Sequence, residues 1–244
     1  MLSIIYDLII WIFLWFFGWF GWYLIPKHKR DYINNYLIVS LYFCAISLIL
    51  IYIFRNPLDT LTKNLSVFPV IILAGFFVLN FLTFFLSNTF LRKPIEFIDK
   101  YSTVHYLKMD YRYLLSKSFE IFFQQILIVS LVLLLHENGL SVTWITIIFV
   151  CMFGFGHIPM LKLGEGFFGT IIFTAGIFSA FLFPYLILIF EHGYIYTYIL
   201  HWFFYTNTGL LFWILKSKPV KEIKVIADEE MKKVKRRIRK ANSF

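Results

Sequence analysis

Residues 112–135 read RYLLSKSFEIFFQQILIVSLVLLL. From Ile126 to Leu135 every residue but Ser130 is apolar. The stretch has the length that a bilayer-crossing helix needs, about 20 residues. A helix satisfies its backbone hydrogen bonds within one segment, so it can stand in hydrocarbon where an open strand cannot. Inside this run, among Phe119, Ile121, Phe122 and Phe123, stands Glu120. An ionisable group near mid-membrane costs roughly 2.5 kcal/mol or more, which makes Glu120 a functional-site candidate.

The same pattern recurs outward in both directions. Long apolar stretches fall at 4–25, 36–54, 68–91, 112–135, 143–161, 167–190 and 195–215. The 244 residues are 60% hydrophobic and 22% aromatic, with 15% charged, a balance foreign to soluble domains. The expectation is an all-α, polytopic integral membrane protein with about seven spans and no separate soluble domain. The first span is too long for a cleavable signal peptide and lacks a basic start.

Basic residues set an expected orientation. Lys27, Lys29 and Arg30 follow the first span, and Arg92, Lys93, Lys100, Lys108, Arg112 and Lys117 lie around the start of the fourth. With Lys162 and the eleven beyond Leu215, alternate loops carry 21 of the 23 Lys and Arg. The positive-inside rule then puts the N-terminus outside and the C-terminus in the cytoplasm of a multi-pass cell-membrane protein. The net charge of +9 is thus a topology signal, and nucleic acid is not an expected partner. Membrane lipid is. The segments expected are 1–111 for the first three spans with an inner-surface linker, 112–215 for a core of four spans, and 216–244 for a basic tail. In that tail Ile223, Ile226, Val234 and Ile238 suit a helix on anionic lipid.

Smaller features carry their own expectations. Trp11, Trp15, Trp19 and Trp22 share one face of the first span, as lipid-facing anchors. Asn80 is expected to bond a neighbouring helix. Cys44 and Cys151 read as small buried apolar residues. The mixed segment 92–118 suits a helix lying on the membrane surface, or a lid over a site. Gly154, Gly156 and Pro159 break the fifth span around His157, and irregular backbone at membrane depth must be buried or line a cavity. His136, Glu137, Glu191 and His192 are expected to be solvated loop groups.

Glu120, His157 and His201 come from three different spans and could form one constellation. A buried glutamate can serve as general base toward water, and imidazole, amide or phenol donors can stabilise an oxyanion. Glu120 is the candidate base, His157 the group holding the water, and His201 an oxyanion donor assisted by Tyr205 or Asn207. If a metal takes part, Glu120, His157 and His201 offer one carboxylate and two imidazoles to Zn²⁺ with an open position.

At these residues the chain resembles the CAAX-protease and bacteriocin-processing family of intramembrane proteases, whose motifs are EExxxR, FxxxH and HxxxN. Phe153–His157 reads FGFGH and fits the second motif, His201 opens the third, and Glu120 falls in the first, at intervals of 37 and 44 residues. The likeness covers roughly 112–215. It implies an endopeptidase acting on membrane-associated peptide or protein substrates with a glutamate-activated water. Two registers are open for the first motif. In one, Glu120 is the first Glu, with Ile121 and Gln125 replacing the second Glu and the Arg. In the other, Glu120 is the second Glu, Phe119 replaces the base and Gln124 stands for the Arg, which implies an inactive relative serving as scaffold or immunity protein. Tyr205 occupies the Asn position of the third motif. A proton-coupled transporter using the same groups as a relay is the remaining alternative.

Overall fold

The computed structural model describes residues 2–62, 66–163, 166–217 and 231–232. Its described residues form helices α1 (Leu2–Leu24), α2 (Tyr36–Ile53), α3 (Arg55–Thr62), α4 (Val67–Phe90), α5 (Ile95–Lys100), α6 (Tyr111–Glu137), α7 (Val142–Phe149), α8 (Met160–Leu163), α9 (Phe167–Ile189) and α10 (Gly193–Lys216). No strand occurs among them. Among the described residues, six segments are long and apolar enough to cross a membrane: Ile5–Leu24, Tyr36–Ile53, Val67–Phe90, Tyr111–Glu137, Val142–Lys162 and Phe167–Ile189. This is an all-α fold of the multi-pass membrane class. The seventh expected span corresponds to α10, which has the length at 24 residues but carries His201, Asn207 and several Tyr and Thr. Two of its polar side chains, Thr197 and Thr206, are turned into the protein, which a hydropathy average cannot register.

α6 is the axis of the fold. Its run from Gln124 to Leu135 is buried on every face, as an all-round hydrophobic helix must be. α1, α2, α3, α7, α9 and α10 surround it. Asp110 caps its first turn, the carboxylate accepting the Arg112 backbone N–H at 2.8 Å. Beyond its last turn, Gly139 takes φ +80°, a left-handed conformation that glycine adopts without strain.

The tryptophans of α1 face inward rather than toward lipid. Trp11 and Trp22 are buried, and the Trp11 indole N–H donates to the Leu127 carbonyl at 2.8 Å. A membrane helix gains no hydrophobic energy from choosing lipid or protein for a ring, so the indole N–H goes where an acceptor waits. Phe13, Phe16, Phe17 and Phe20 take the outer face. Gly18 lets α1 approach α6, since a Cβ there would meet Phe123 Cζ at 2.5 Å.

The 92–118 segment is not one surface helix. It divides into α5, a 3-10 turn at His105–Lys108 and the start of α6. Ile98, Val104, Tyr106, Leu107 and Met109 are buried, so the segment is tucked in as part of the core. The Trp213 indole N–H bonds the Leu107 carbonyl at 2.6 Å and the Asn88 amide bonds the Met109 carbonyl at 2.9 Å, fixing it to α10 and α4. Asn80 does bond a neighbouring helix, accepting the Thr206 hydroxyl of α10. Cys151 is exposed rather than buried, and Cys44 is partly buried. The amphipathic tail expected around Ile223–Ile238 lies, but for Met231 and Lys232, outside the described residues.

Candidate functional site

The break at the end of the fifth span is built from non-α turns. After α7 the chain makes a π-helical turn at Val150–Gly154 and then a 3-10 turn at Phe155–His157. Such local changes of winding rotate a side chain out of its α register. Here they turn the His157 ring back onto its own helix. Its Nδ1 lies 2.8 Å from the Phe153 carbonyl, and the Phe153 ring meets it edge-on at 4.8 Å between centroids. A carbonyl oxygen can only accept, so Nδ1 carries the proton and Nε2 of the neutral ring is left as an acceptor. Gly176 of α9 makes room for the ring, since a Cβ there would fall 2.7 Å from His157 Cγ.

Glu120 is buried two to three turns into α6 and held from three directions. Lys117 Nζ donates to Oε1 at 2.7 Å, and Gln124 Nε2 donates to the same oxygen at 2.8 Å. The Tyr32 hydroxyl, from the loop between α1 and α2, donates to Oε2. Burial, together with the Glu120 carboxylate, holds the Tyr32 phenol well above its ordinary pKa, so it remains a donor. The Tyr32 carbonyl in turn accepts the Ser116 hydroxyl at 2.8 Å, which ties that loop to α6. Lys117 Nζ also lies 4.5 Å from the centroid of the Tyr205 ring, a cation–π distance. The ion pair therefore sits between α6, α10 and the α1–α2 loop with its charges balanced.

Glu120 and His157 line one cavity of about 750 Å³, together with Lys117, Gln124, Tyr32 and Tyr205. That volume is within the range of small-molecule sites, roughly 300–1,000 Å³. Its lining combines these polar groups with Phe13, Phe16, Phe17, Phe20 and Tyr23 of α1. His201 does not line it. It faces an adjoining crevice of about 30 Å³ shared with His157, Tyr205 and Gly176. Such a space can hold a water, which needs roughly 10–15 Å³ measured this way. The His201 ring stacks on Tyr205 at 5.8 Å, and its Nδ1 is buried without a protein partner. Tyr205, like His157, lines both spaces. Asn207 is exposed, bonds the Phe203 carbonyl at 2.9 Å, and lines neither.

His157 thus lines both spaces, the larger with Glu120 and the smaller with His201. Among the described residues, no group of three or more His, Cys, Asp or Glu side chains stands close enough together to hold a metal ion. Both Glu120 carboxylate oxygens already accept protein donors, Oε1 from the Lys117 ammonium at 2.7 Å and Oε2 from the Tyr32 hydroxyl. Zn²⁺ therefore does not fit Glu120, His157 and His201 as arranged. His136 and Glu137 are exposed but close α6 rather than standing in a loop, and Glu191 is exposed, whereas His192 is not solvated as expected, with only 10% of its side chain open.

Three contributors to the site carry little or no sign in the sequence. Lys117 counts in the sequence as one more basic residue of an inner loop, yet it is buried. Its signal is the spacing to Glu120, since residues three apart on a helix are neighbours. Tyr32 and His105 carry no such signal: Tyr32 arrives from the α1–α2 loop, 88 residues before Glu120, and His105 from the 3-10 turn that leads into α6.

No protein-family model, curated protein or solved structure matches this chain. The fold and site define a multi-pass helical membrane protein with an amphipathic internal cavity.

Proposed function

We propose that the chain is an intramembrane endopeptidase resembling the CAAX-protease and bacteriocin-processing type, with the N-terminus outside and the site entered from the cytoplasmic side. One observation carries the reading. Glu120 and His157 share a cavity, whereas Phe119 lines a separate groove with Phe77, Phe81 and Tyr198. This favours the register in which Glu120 holds the base position, because a base must face the same space as the histidine that helps hold the water.

The chemistry follows from the donors present. A water replaces the Tyr32 hydroxyl at Oε2, gives its proton to Glu120, and attacks the scissile carbonyl. Tyr205 and Lys117 donate to the oxyanion, and the proton passes from Glu120 to the leaving amine as the C–N bond breaks. His157 orients the water through Nε2. The substrate is a membrane-proximal peptide.

The test is cleavage of a membrane-peptide library by wild type and Glu120→Gln. Loss of about 10²–10⁴-fold in the variant is expected of a general base. Equal cleavage by both proteins removes Glu120 from that role.

A second reading has its own observation. Both Glu120 oxygens already hold donors, one of them an ammonium at 2.7 Å. A carboxylate so occupied serves as an internal counter-ion, and the chain is then a non-catalytic relative acting as a membrane scaffold. Absence of cleavage by wild type, with Glu120→Gln impaired only in stability, selects this reading.

A further inference from the structure

The wall that α1 gives to the cavity is also the outer face of α1. Phe13, Phe16, Phe17, Phe20 and Tyr23 all line the cavity, and all remain more than half exposed. A side chain can do both only where the cavity opens sideways along the helix. In a membrane that opening faces acyl chains, not water. From Phe13 to Tyr23 the wall rises about 15 Å at 1.5 Å per residue. That is half of the roughly 30 Å hydrocarbon core, the reach of one leaflet's chain.

The chemistry of the wall selects among occupants. Its backbone amides are consumed within α1, and its surface is ring carbon, with the Trp15 and Trp19 indoles and the Tyr23 phenol as its polar points. A polypeptide segment lying along this wall, away from the polar groups around Glu120, would bury N–H and C=O groups without partners, at several kcal/mol each. A hydrocarbon chain has no such groups.

Charge selects the head group. At the deep end Lys117 is neutralised by Glu120 at 2.7 Å. Beside Tyr23, the last residue of the wall, stands Arg30, outside the lining itself, its guanidinium 5.3 Å from the ring centroid. No carboxylate among the described residues pairs with it, and its Nε is buried without a hydrogen-bond partner. The cavity is therefore apolar along α1, balanced at its floor and cationic at its rim.

We infer that this cavity binds a single-chain anionic lipid, with the hydrocarbon along Phe13–Tyr23 and the carboxylate or phosphate head at Arg30. The inference goes beyond the hydrolytic reading and uses other residues, so either can fail alone.

The test uses tryptophan fluorescence of the full chain in mild detergent, with 12-bromododecanoic acid as quencher. Trp15 and Trp19 line the cavity, so a bromine carried into it quenches them. Wild type is expected to show a saturable quench with one site, displaced by unlabelled dodecanoate. Arg30→Gln weakens the acid about fivefold, the effect of one basic residue near a lipid surface, and leaves the methyl ester unchanged. Arg30→Lys restores acid binding, which separates loss of charge from misfolding. Dodecyl phosphate in place of the acid tells a phosphate head from a carboxylate, and saturable binding of either supports the inference. A quench rising linearly with the bromolipid content of the micelle overturns it. So does saturable binding that is indifferent to Arg30, or displacement by an apolar peptide but not by dodecanoate.

Discussion

Lys117 donates to the Glu120 carboxylate at 2.7 Å from one turn earlier on the same buried helix, and the two charges share an environment that neither could enter alone. Ion pairs three residues apart on exposed helices contribute only about 0.2–0.5 kcal/mol. Burial changes the consequence of breaking one. The favourable Coulomb term is offset by desolvation of both ions, so the intact pair adds little, while either charge left without its partner is strongly destabilising.

Lys117→Met should therefore lower stability by about 3–5 kcal/mol, because it strands the Glu120 carboxylate. Adding Glu120→Gln to that variant should recover most of the loss, since Gln124 and Tyr32 can still bond a neutral amide. Thermal unfolding of the four proteins in detergent gives the coupling directly. Additive effects of the two substitutions would show that the pair is not a unit.

His105 gives the fold a pH dependence near neutrality. It lies outside the membrane-spanning segments, with its ring 5.6 Å from Tyr32. Burial, reinforced by Lys108, holds its pKa below the ordinary 6.5, against the pull of Asp31 and Glu120. The folded state thus disfavours the imidazolium. Stability is whole above about pH 6.5 and declines as pH falls from there through the lower folded value. Asp31 acts in a separate window. Burial raises its pKa, but the Asn34 and Ile33 backbone N–H groups outweigh that and bring it below 3.8. Its contribution is whole above that value and is lost only in stronger acid. Melting temperatures of wild type should fall between pH 7 and 5.5, and His105→Gln should flatten that slope. An unchanged slope in the variant would place the titrating group elsewhere.

Hydropathy was enough to expect the membrane helices, because a bilayer demands length and apolarity from every span, whatever its neighbours. The irregular segment around His157 was equally legible, since Gly154, Gly156 and Pro159 cannot sustain a regular helix and the π and 3-10 turns occur there. What stayed hidden was the direction in which side chains point. The tryptophan stripe of α1 has the same spacing whether it faces lipid or α6, and both environments are apolar. Lys117 stands in the first turns of the fourth span among the basic residues of the inner side, and nothing in one sequence tells that it is buried against Glu120 rather than open to water. Tyr32 could not be expected at Glu120 at all, because long-range contacts leave no periodic trace in one sequence.

Asn80 and Thr206 join α4 to α10 by a hydrogen bond between buried side chains. Thr206→Val keeps the shape and removes the donor, leaving Asn80 Oδ1 without it. Inter-helix hydrogen bonds in membrane proteins contribute about 0.6 kcal/mol on average and up to about 1.7. The expected loss lies in that range, and the double variant Asn80→Leu/Thr206→Val should lose less than the two single variants added together. Measured additivity would mean the two side chains bond independently to other groups.

Two glycines on different helices form a matched test of whether His157 is held by packing. At Gly176 an added Cβ meets His157 at 2.7 Å, and at Gly75 it meets nothing within 4 Å. Both lie inside long helices, α9 and α4, where alanine is the better helix former by up to about 1 kcal/mol. Gly75→Ala should therefore be neutral or stabilising. Gly176→Ala must move the imidazole, and the Nδ1 bond to the Phe153 carbonyl goes with it, so a net loss of about 1–3 kcal/mol is expected. Chemical modification of His157 by diethyl pyrocarbonate supplies a second readout, because a displaced ring exposes a nitrogen that the native geometry occupies. Faster modification in Gly176→Ala but not in Gly75→Ala ties the effect to the histidine. Equal behaviour of the two variants would mean that α9 shifts to absorb the methyl group and that the placement of His157 does not depend on it.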